Sequence, residues 1–280
     1  MERLLIISYY SPIENTPRSI HLLGLLQKYI NQGYISITLI VPKLNNPIKE
    51  HFRYDLYKLN KINVIELKNS RLNNIQNNII LELFKKVLSI PDESVLFGIK
   101  LFFYLRNKKF DLAYLNTLPF SYAYFVSLLK NISYHKLYID CGDPYSKNHN
   151  TRYKLIKQLL ERRTLNKANK LYIPVVGQEK SYHIDQNKIL VREQLIPNVS
   201  LSSNLEFDNN FYHIFYAGRF YQEFRNPQNL FKAIDILIEA GYKIRFHYFG
   251  KISDNKFILD QINFEKKLEL HQFLSELNLD

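Results

Sequence analysis

Short apolar runs rich in β-branched and aromatic residues alternate along this chain with longer stretches whose apolar residues recur every three to four positions. This alternation is typical of β-α-β units, in which helical crossovers join parallel strands. Six runs predict the strands of a first sheet: residues 4–8, 35–41, 63–67, 112–116, 136–140 and 170–174. The rhythm therefore predicts an α/β protein built on parallel sheets.

The stretches between these runs predict helices. The first helix is predicted over 17–32, because Pro17 suits an early helical position and Gly33 suits a helix end. Further helices are predicted near 77–90, 92–107, 119–131 and 151–168.

A break in the pattern divides the chain. After a short apolar piece near 195–196, residues 196–210 lose periodicity and collect Pro, Asn and Ser, which predicts a linker. A second series follows, with strands at 213–218 and 243–250 and helices at 227–240 and from about 258 to 277. We therefore predict a first domain over 1–200, a linker over 201–210 and a partial second domain over 211–280, since 280 residues exceed the usual size of one domain.

Positive charge is concentrated in the first part of the chain. The formal net charge is +12, and residues 201–280 hold 9 Lys/Arg against 11 Asp/Glu, so the first 200 residues hold 29 against 15, a surplus of +14. Such a surplus attracts nucleic acid, an anionic membrane or a phosphorylated substrate, and charge alone does not choose among them. The basic residues are scattered, and no helix-turn-helix, zinc or RNA-binding signature is present, so we predict no nucleic-acid partner.

Cysteine content and hydropathy bear on the compartment. Cys141 is the only cysteine, so no intrachain disulfide can form, which suits a reducing compartment. The first apolar run is too short for a signal peptide, and no stretch approaches the roughly 18 apolar residues of a spanning helix. We expect a cytoplasmic protein, and the basic first part leaves peripheral contact with the inner face of the plasma membrane open.

The loops after strands are where a parallel sheet binds ligands, because helix N-termini with free N–H groups begin there. Gly218 ends a predicted strand and is followed by Arg219, while Arg225 stands just before the predicted helix start at Pro227. Two guanidinium groups beside a helix N-terminus suit a diphosphate, since each can bond two phosphate oxygens. The alternative is that both arginines are ordinary solvated side chains.

Two more loops after strands carry polar candidates. Arg18 stands near the start of the first predicted helix, either as a surface side chain or as part of a binding cleft. In DCGDPY, Asp140 is interpreted as capping loop N–H groups, and Asp143 is the better candidate for a substrate contact. Their spacing, with no third carboxylate or histidine nearby, is a weak metal signal, so no metal site is predicted. Three histidines are interpreted as surface or half-buried residues: His135, His149 and His183.

Residues 82–110 combine lysines and arginines with an apolar stripe of Val95, Ile99, Phe102 and Phe103. A stripe of this kind is expected to pack on its own sheet. The alternative is an interfacial face that contacts anionic lipid head groups through its basic residues.

Taken in chain order, these segments resemble the GT-B glycosyltransferases, specifically the retaining nucleotide-sugar transferases of glycosyltransferase family four. LLIISYYSPIENTPRSIHLLGLLQKYINQGYISITLIVP resembles that family's opening strand, loop, helix and second strand, and FDLAYLNTLPFSYAYFVSLLKN its fourth strand and following helix. LYIDCGDPYS is similar to a strand–Asp–Pro variant of the capsule and O-antigen branch, and ERRTLNKANKLYIP to its Glu-led helix. LIPNVS resembles the interdomain Pro-Asn-Gly element with Val199 in place of Gly, and FYAGRFYQEFRNPQNLFKAI the donor-domain turn.

The resemblance implies a fold and an activity. The fold is GT-B, with two Rossmann-like domains on parallel sheets, the first binding the acceptor and the second, incomplete one binding the nucleotide-sugar donor. The activity is transfer of a sugar, with retention, to a surface polysaccharide or a lipid-linked glycan, without metal or cofactor. Because the family's donor domain continues for several strands and a Glu-rich segment, the chain resembles a shortened member, either active or a noncatalytic fragment that binds a partner or membrane.

The resemblance also assigns residues. It places Arg219 on the donor diphosphate as a catalytic charge and makes Asp143 the group that orients substrate hydroxyls. It assigns nucleotide contacts to a set of residues in the two predicted domains: Gly218, Arg219, Arg225, Arg18 and Asn198. Arg225 stands where a lysine is commoner in the family, and the histidine often present in the acceptor cleft is not evident.

Overall fold

The computed structural model describes residues 3–14, 16–32, 36–44, 62–68, 90–147, 153–182, 184–197, 207–218, 220, 225–250 and 268–272. Within it the chain divides into two compact units, Met1–Asn198 and Val199–Asp280. The predicted linker falls largely outside the described residues, and the predicted domain bounds stay predictions.

The first unit is built on a parallel sheet of seven strands in the order β3-β2-β1-β4-β5-β6-β7. The strands are β1 Arg3–Ser8, β2 Ser36–Pro42, β3 Ile62–Leu67, β4 Phe110–Asn116, β5 Tyr134–Asp140, β6 Lys170–Ile173 and β7 Ile189–Val191. All six strands predicted for this sheet are confirmed. The short strand β7 was not predicted, and the apolar piece near 195–196 is not a strand.

Four helices of the first unit are described: α1 Pro17–Asn31, α2 Val95–Leu105, α3 Ser121–Ser127 and α4 Lys154–Lys167. The helix α1 begins as Pro17 predicts, and the Thr16 side chain caps it by accepting the Ser19 N–H at 3.1 Å. The helix predicted near 77–90 lies, except for Ile90, outside the described residues. No described helix is both long and apolar enough to cross a bilayer.

Helices cover both faces of this sheet, which explains the continuous apolar sequence of its strands. On one face β1 contributes Leu5 and Ile7 to a buried cluster with residues of α2 and α3. On the other face Leu4 and Ile6 pack with leucines of α1. The chain builds outward from β1 toward β3 and then crosses to β4, so the direction of winding reverses between β1 and β4.

Val95 of the predicted stripe is buried, but the centre of the buried face of α2 lies on other residues. Phe97, Leu101 and Leu105 are fully buried, whereas Phe103 is 59% exposed. Packing on the sheet is therefore confirmed for the helix, but Phe103 was wrongly included in the packed face.

The second unit holds three parallel strands in the order β10-β9-β8, with β8 Tyr212–Ala217, β9 Ile244–Gly250 and β10 Leu268–Gln272. The helix α5, Gln228–Glu239, lies between β8 and β9 in the chain, and its Phe231 packs in an aromatic core with Phe220. The helix predicted from about 258 to 277 is wrong at 268–272, because this segment pairs with β9 as a strand.

Candidate functional site

Three polar residues end neighbouring strands at the carboxyl edge of the seven-stranded sheet. Ser8 of β1 pairs in register with Asn116 of β4, and Asn116 pairs with Asp140 of β5. All three are buried. They lie at the reversal of winding between β1 and β4, which is where open α/β sheets form their ligand crevice.

Asp140 is the centre of a buried hydrogen-bond cluster. Its Oδ2 accepts hydrogen bonds from His21 Nε2 at 2.7 Å, from the Tyr114 hydroxyl at 2.5 Å and from Arg192 Nη2 at 2.6 Å. Arg192 also donates to the Tyr114 hydroxyl. The cluster joins α1, β4, β5 and the segment after β7, and the interpretation of Asp140 as a cap for loop N–H groups is corrected to this role.

The protonation states in this cluster follow from its contacts. The Leu195 N–H donates to His21 Nδ1 at 2.9 Å, so the ring proton that His21 donates to Asp140 is on Nε2. Burial raises the pKa of the Asp140 carboxyl, but the His21 hydrogen bond and the charges of Arg18 and Arg192 outweigh burial and lower this pKa to about 2. Asp140 is therefore a carboxylate at neutral pH, with its charge balanced by arginines.

Arg18 reaches the same carboxylate from the first turn of α1. Its Nη1 is 3.6 Å from Asp140 Oδ1, which makes an ion pair but not a hydrogen bond, and its side chain is 11% exposed. Gly142 lets the guanidinium lie there, because a Cβ at position 142 would overlap Arg18 Nη2. The sheet edge thus holds a cation whose hydrogen-bonding capacity is not fully used by Asp140.

Buried polar atoms without a hydrogen-bond partner gather in this region. Among the described residues they include Ser11 Oγ, Arg18 Nη1 and Asn116 Oδ1. The Asn116 side chain is held by its other end, since Nδ2 donates to Ser8 Oγ and to the Arg18 carbonyl oxygen at 3.3 Å each. Buried polar groups are nearly always paired in native proteins, so a set of unpaired donors and acceptors indicates a place for a polar ligand.

The helix α4 holds the loop after β5 in place. Glu161 of α4 accepts the Tyr145 N–H at 2.7 Å and the Ser146 hydroxyl at 2.5 Å, and the Tyr145 ring stacks on Phe120 with 5.0 Å between centroids. Within this loop Cys141 is fully buried, and burial raises the pKa of its thiol to about 12. The thiol stays protonated at neutral pH and is not an activated nucleophile.

The predicted site residues are only partly brought together. Arg18 joins the cluster around Asp140, and Asp143 lies exposed in the loop that follows. Asn198 and Arg219 lie outside the described residues, and their assignment stays a prediction.

Two further predicted residues lie in the second unit. Gly218 directly follows β8 with a φ of +144°, a conformation that favours glycine, and its N–H donates to the Phe249 carbonyl at 2.9 Å. Arg225 is exposed shortly before α5. These positions are compatible with a ligand contact at the start of α5, and that role is also still a prediction.

The structure adds nothing in favour of a metal. The described residues contain no group of three or more His, Cys, Asp or Glu side chains that could hold a metal ion. His135 is exposed, as predicted, and His149 and His183 lie outside the described residues.

Sequence reasoning missed His21, Tyr114 and Arg192. His21 follows Arg18 by three positions, a spacing that puts both on one side of a helix, so this pair was open to detection. Arg192 was hidden because the three-residue strand before it was not predicted.

Comparison with known proteins identifies the fold. No protein-family model matches the chain, and no curated protein sequence matches it. Among solved structures, TarM matches with a TM-score of 0.61 at 9% identity, covering 99% of this chain and 77% of that one. The lipopolysaccharide outer core galactosyltransferase WaaB matches with a TM-score of 0.56 at 11% identity, covering 98% and 68%.

A different kind of enzyme is also similar. The UDP-GlcNAc 2-epimerase from Neisseria meningitidis, bound to UDP-GlcNAc, matches with a TM-score of 0.58 at 12% identity, covering 99% of this chain and 73% of that one. At these identities the likeness concerns the fold. The predicted α/β fold of the GT-B class is therefore confirmed, and it is shared with glycosyltransferases and nucleotide-sugar epimerases.

Proposed function

We propose that the chain uses a nucleotide sugar as donor and transfers its sugar, with retention, to a surface polysaccharide or lipid-linked glycan, as a member of glycosyltransferase family four. The observation that carries the proposal is the set of buried polar atoms without a hydrogen-bond partner at the reversal of winding in a GT-B fold: Ser11 Oγ, Arg18 Nη1 and Asn116 Oδ1. A hydroxyl, a cation and an amide oxygen near one edge of a sheet suit a sugar with an anionic neighbour.

Each group has a defined task in this proposal. Asn116 Oδ1 accepts a hydrogen bond from a sugar hydroxyl, and Ser11 Oγ can donate or accept one. Arg18 Nη1, which makes no hydrogen bond, donates to a phosphate oxygen, while the ion pair with Asp140 keeps the guanidinium in place. Asp143, exposed after β5, orients a substrate hydroxyl.

Donor activation is assigned to the second unit. Arg219 and Arg225 offset the negative charge that develops on the departing nucleoside diphosphate, and Gly218 lets the backbone come close to it. Asn198 adds a nucleotide contact. Charge stabilisation by arginines does this without a metal or cofactor.

Calorimetric titration of nucleoside diphosphates tests the donor assignment. A hydrogen bond to a charged group contributes about 1.5–3 kcal/mol, so Arg219→Ala should weaken binding by about one to two factors of ten, and Arg225→Ala by less. Lys232→Ala is the matched control, because Lys232 is an exposed cation on the following helix. The assignment is contradicted if neither arginine substitution weakens binding. It is also contradicted if Lys232→Ala weakens binding as much as Arg219→Ala does.

Ser11→Ala tests the proposed sugar contact in the first unit. Because Ser11 Oγ has no partner, its removal should leave the free energy of unfolding unchanged or slightly higher, while it lowers the rate of sugar transfer. Radiolabelled sugar transfer and urea unfolding measure the two effects. A variant that loses stability and keeps full transfer would show that Ser11 is only structural.

Nucleotide-sugar epimerisation is a second candidate, because an epimerase matches over the same 99% of the chain as TarM. Incubation with UDP-GlcNAc in the absence of an acceptor distinguishes the two. Formation of the C2 epimer supports the epimerase, and product that forms only when a glycan acceptor is added supports the transferase.

A further inference from the structure

The helix α4 buries three polar side chains and exposes three large apolar ones, which is unusual for a surface helix. The inner face buries Lys157, Glu161 and Thr164 alongside the apolar Leu165. The outer face exposes Leu155 by 81%, Leu159 by 50% and Ile156 by 43%. A helix that only covered a sheet would place these residues the other way round.

The buried polar residues of α4 are accounted for by specific contacts. Glu161 holds the loop after β5 through Tyr145 and Ser146, and Thr164 Oγ1 donates to the Leu160 carbonyl at 2.7 Å. Lys157 Nζ lies 5.3 Å from the Tyr145 ring centroid. The polar residues of the inner face therefore make specific contacts. Rotating α4 to bury its exposed apolar residues would break those contacts.

Basic residues follow the apolar ones along the same outer face. Arg162 and Arg163, one turn beyond Leu159, are exposed and make no ion pair with other described residues. Beside them is an open groove of about 850 Å³, into which Leu159, Arg162, Tyr182 and Ile184 project. Asp185 is the acidic residue that lines this groove.

We propose that the outer face of α4 is a docking surface for an anionic lipid bilayer. The helix of 14 residues is about 21 Å long and would lie in the plane of the interface, with Leu155, Ile156 and Leu159 at the boundary of the acyl chains. Arg162 and Arg163 then contact lipid phosphates. This interaction does not depend on sugar transfer or on the identity of the donor.

Charge complementarity selects a membrane as the occupant. The first 200 residues carry a surplus of +14, and the exposed leucines are continued by two adjacent arginines. Apolar side chains with arginine on the same helix face match the interface of an anionic bilayer, in which the charged and apolar layers are adjacent. The helix α2 is a weaker candidate for a membrane surface. Among its described residues, Phe103 is the one large apolar side chain that is mostly exposed.

Vesicle co-sedimentation of the whole chain tests the proposal. Two vesicle types are used, one of phosphatidylcholine alone and one that also contains phosphatidylglycerol. Binding is expected only to the second and should weaken as salt is added. Arg162→Gln with Arg163→Gln should weaken binding about 25-fold, since each basic residue near an anionic surface contributes about fivefold.

Leu155→Ser with Leu159→Ser should weaken binding at least about 15-fold, because even one buried methylene lost from each leucine costs about fourfold. The matched control is Phe103→Ser with Ile132→Ser, which removes two side chains that are 59% and 50% exposed elsewhere on the first unit. That control should bind as the unchanged chain does.

Three results would overturn the proposal: no binding to anionic vesicles, equal binding to neutral vesicles, or an equal loss in the control pair. Light scattering without lipid tests the remaining possibility, that a second copy of the chain packs on this face. If the chain is a dimer that the leucine substitutions convert to a monomer, with vesicle binding unchanged, the face is an interface between two copies of the chain and not a membrane surface.

Discussion

Replacing Asp140 by Asn removes the one negative charge at the centre of the carboxyl-edge cluster while keeping the shape of the side chain. The amide can still accept hydrogen bonds through one oxygen. However, Arg18 and Arg192, whose side chains are 11% and 16% exposed, lose the carboxylate that balances them. The substitution therefore tests charge balance and leaves packing nearly unchanged.

Removing one partner of a buried ion pair typically costs 3–5 kcal/mol, because the remaining charge stays buried without compensation. We expect Asp140→Asn to lower the free energy of unfolding by about that amount at neutral pH. The hydrogen bonds from His21 and Tyr114 are partly retained by the amide oxygen, so the loss arises mainly from the two arginines.

The pH dependence gives an independent measure. The pKa of Asp140 is about 2 in the folded protein against an ordinary value of 3.8, so its ionised form stabilises the fold above about pH 4. This stabilisation is lost as the pH falls from about 4 toward 2, and it amounts to about 2 kcal/mol. The difference in unfolding free energy between the unchanged chain and Asp140→Asn should shrink by that amount over this range.

Urea unfolding followed by circular dichroism at a series of pH values measures both quantities. Asp111→Asn is the control, since Asp111 pairs with Arg3 at 3.9 Å on the surface and should cost less than about 1 kcal/mol. If Asp140→Asn costs no more than the control, or if the difference between the two chains is the same at pH 5 and pH 2, the charge-balance reasoning is refuted.

Three further substitutions probe the residues that position this site. Gly142→Ala should destabilise the chain by about 1–3 kcal/mol because its Cβ displaces the Arg18 guanidinium, and the loss should be smaller in an Arg18→Ala background when both are compared by urea unfolding. Thr16→Ala removes the cap of α1 and should cost about 1 kcal/mol in the same assay, whereas Thr16→Ser should restore most of it. Glu161→Gln should cost about 1.5–3 kcal/mol and speed hydrogen exchange at the Tyr145 amide, and unchanged exchange would contradict the assigned hydrogen bond.

The main features of the fold were predictable because burial on both faces leaves a continuous apolar sequence. Residues 4–7 and 37–41 show this, and the strands appear where that sequence predicts them. The segment Leu268–Gln272 shows the limit of the method. Its apolar residues and those around it recur at helical spacing, but pairing with β9 decides its conformation, and no local pattern records that pairing.

The candidate site was predictable only where its residues follow strands. Arg18 was found by that rule and the role of Asp143 stays a prediction, whereas the role of Asp140 was misjudged. Its partners His21 and Arg192 are 119 and 52 positions away in the chain, and only the strand order of the sheet brings them to the same place. Residue spacing predicts which side chains share a face within one helix or strand. It does not predict contacts between residues this far apart in the chain.

The separation of Asp140 and Arg192 in the sequence also implies a delay between their appearance during synthesis. A ribosome adds about 5–20 residues each second, so the 52 positions between them take about 3–10 seconds to synthesise. During that interval the residues of β1, α1, β4 and β5 have been synthesised, but the arginine that completes the cluster has not. We expect the carboxyl edge of the nascent sheet to stay hydrated around Asp140 until the segment after β7 emerges and seals it.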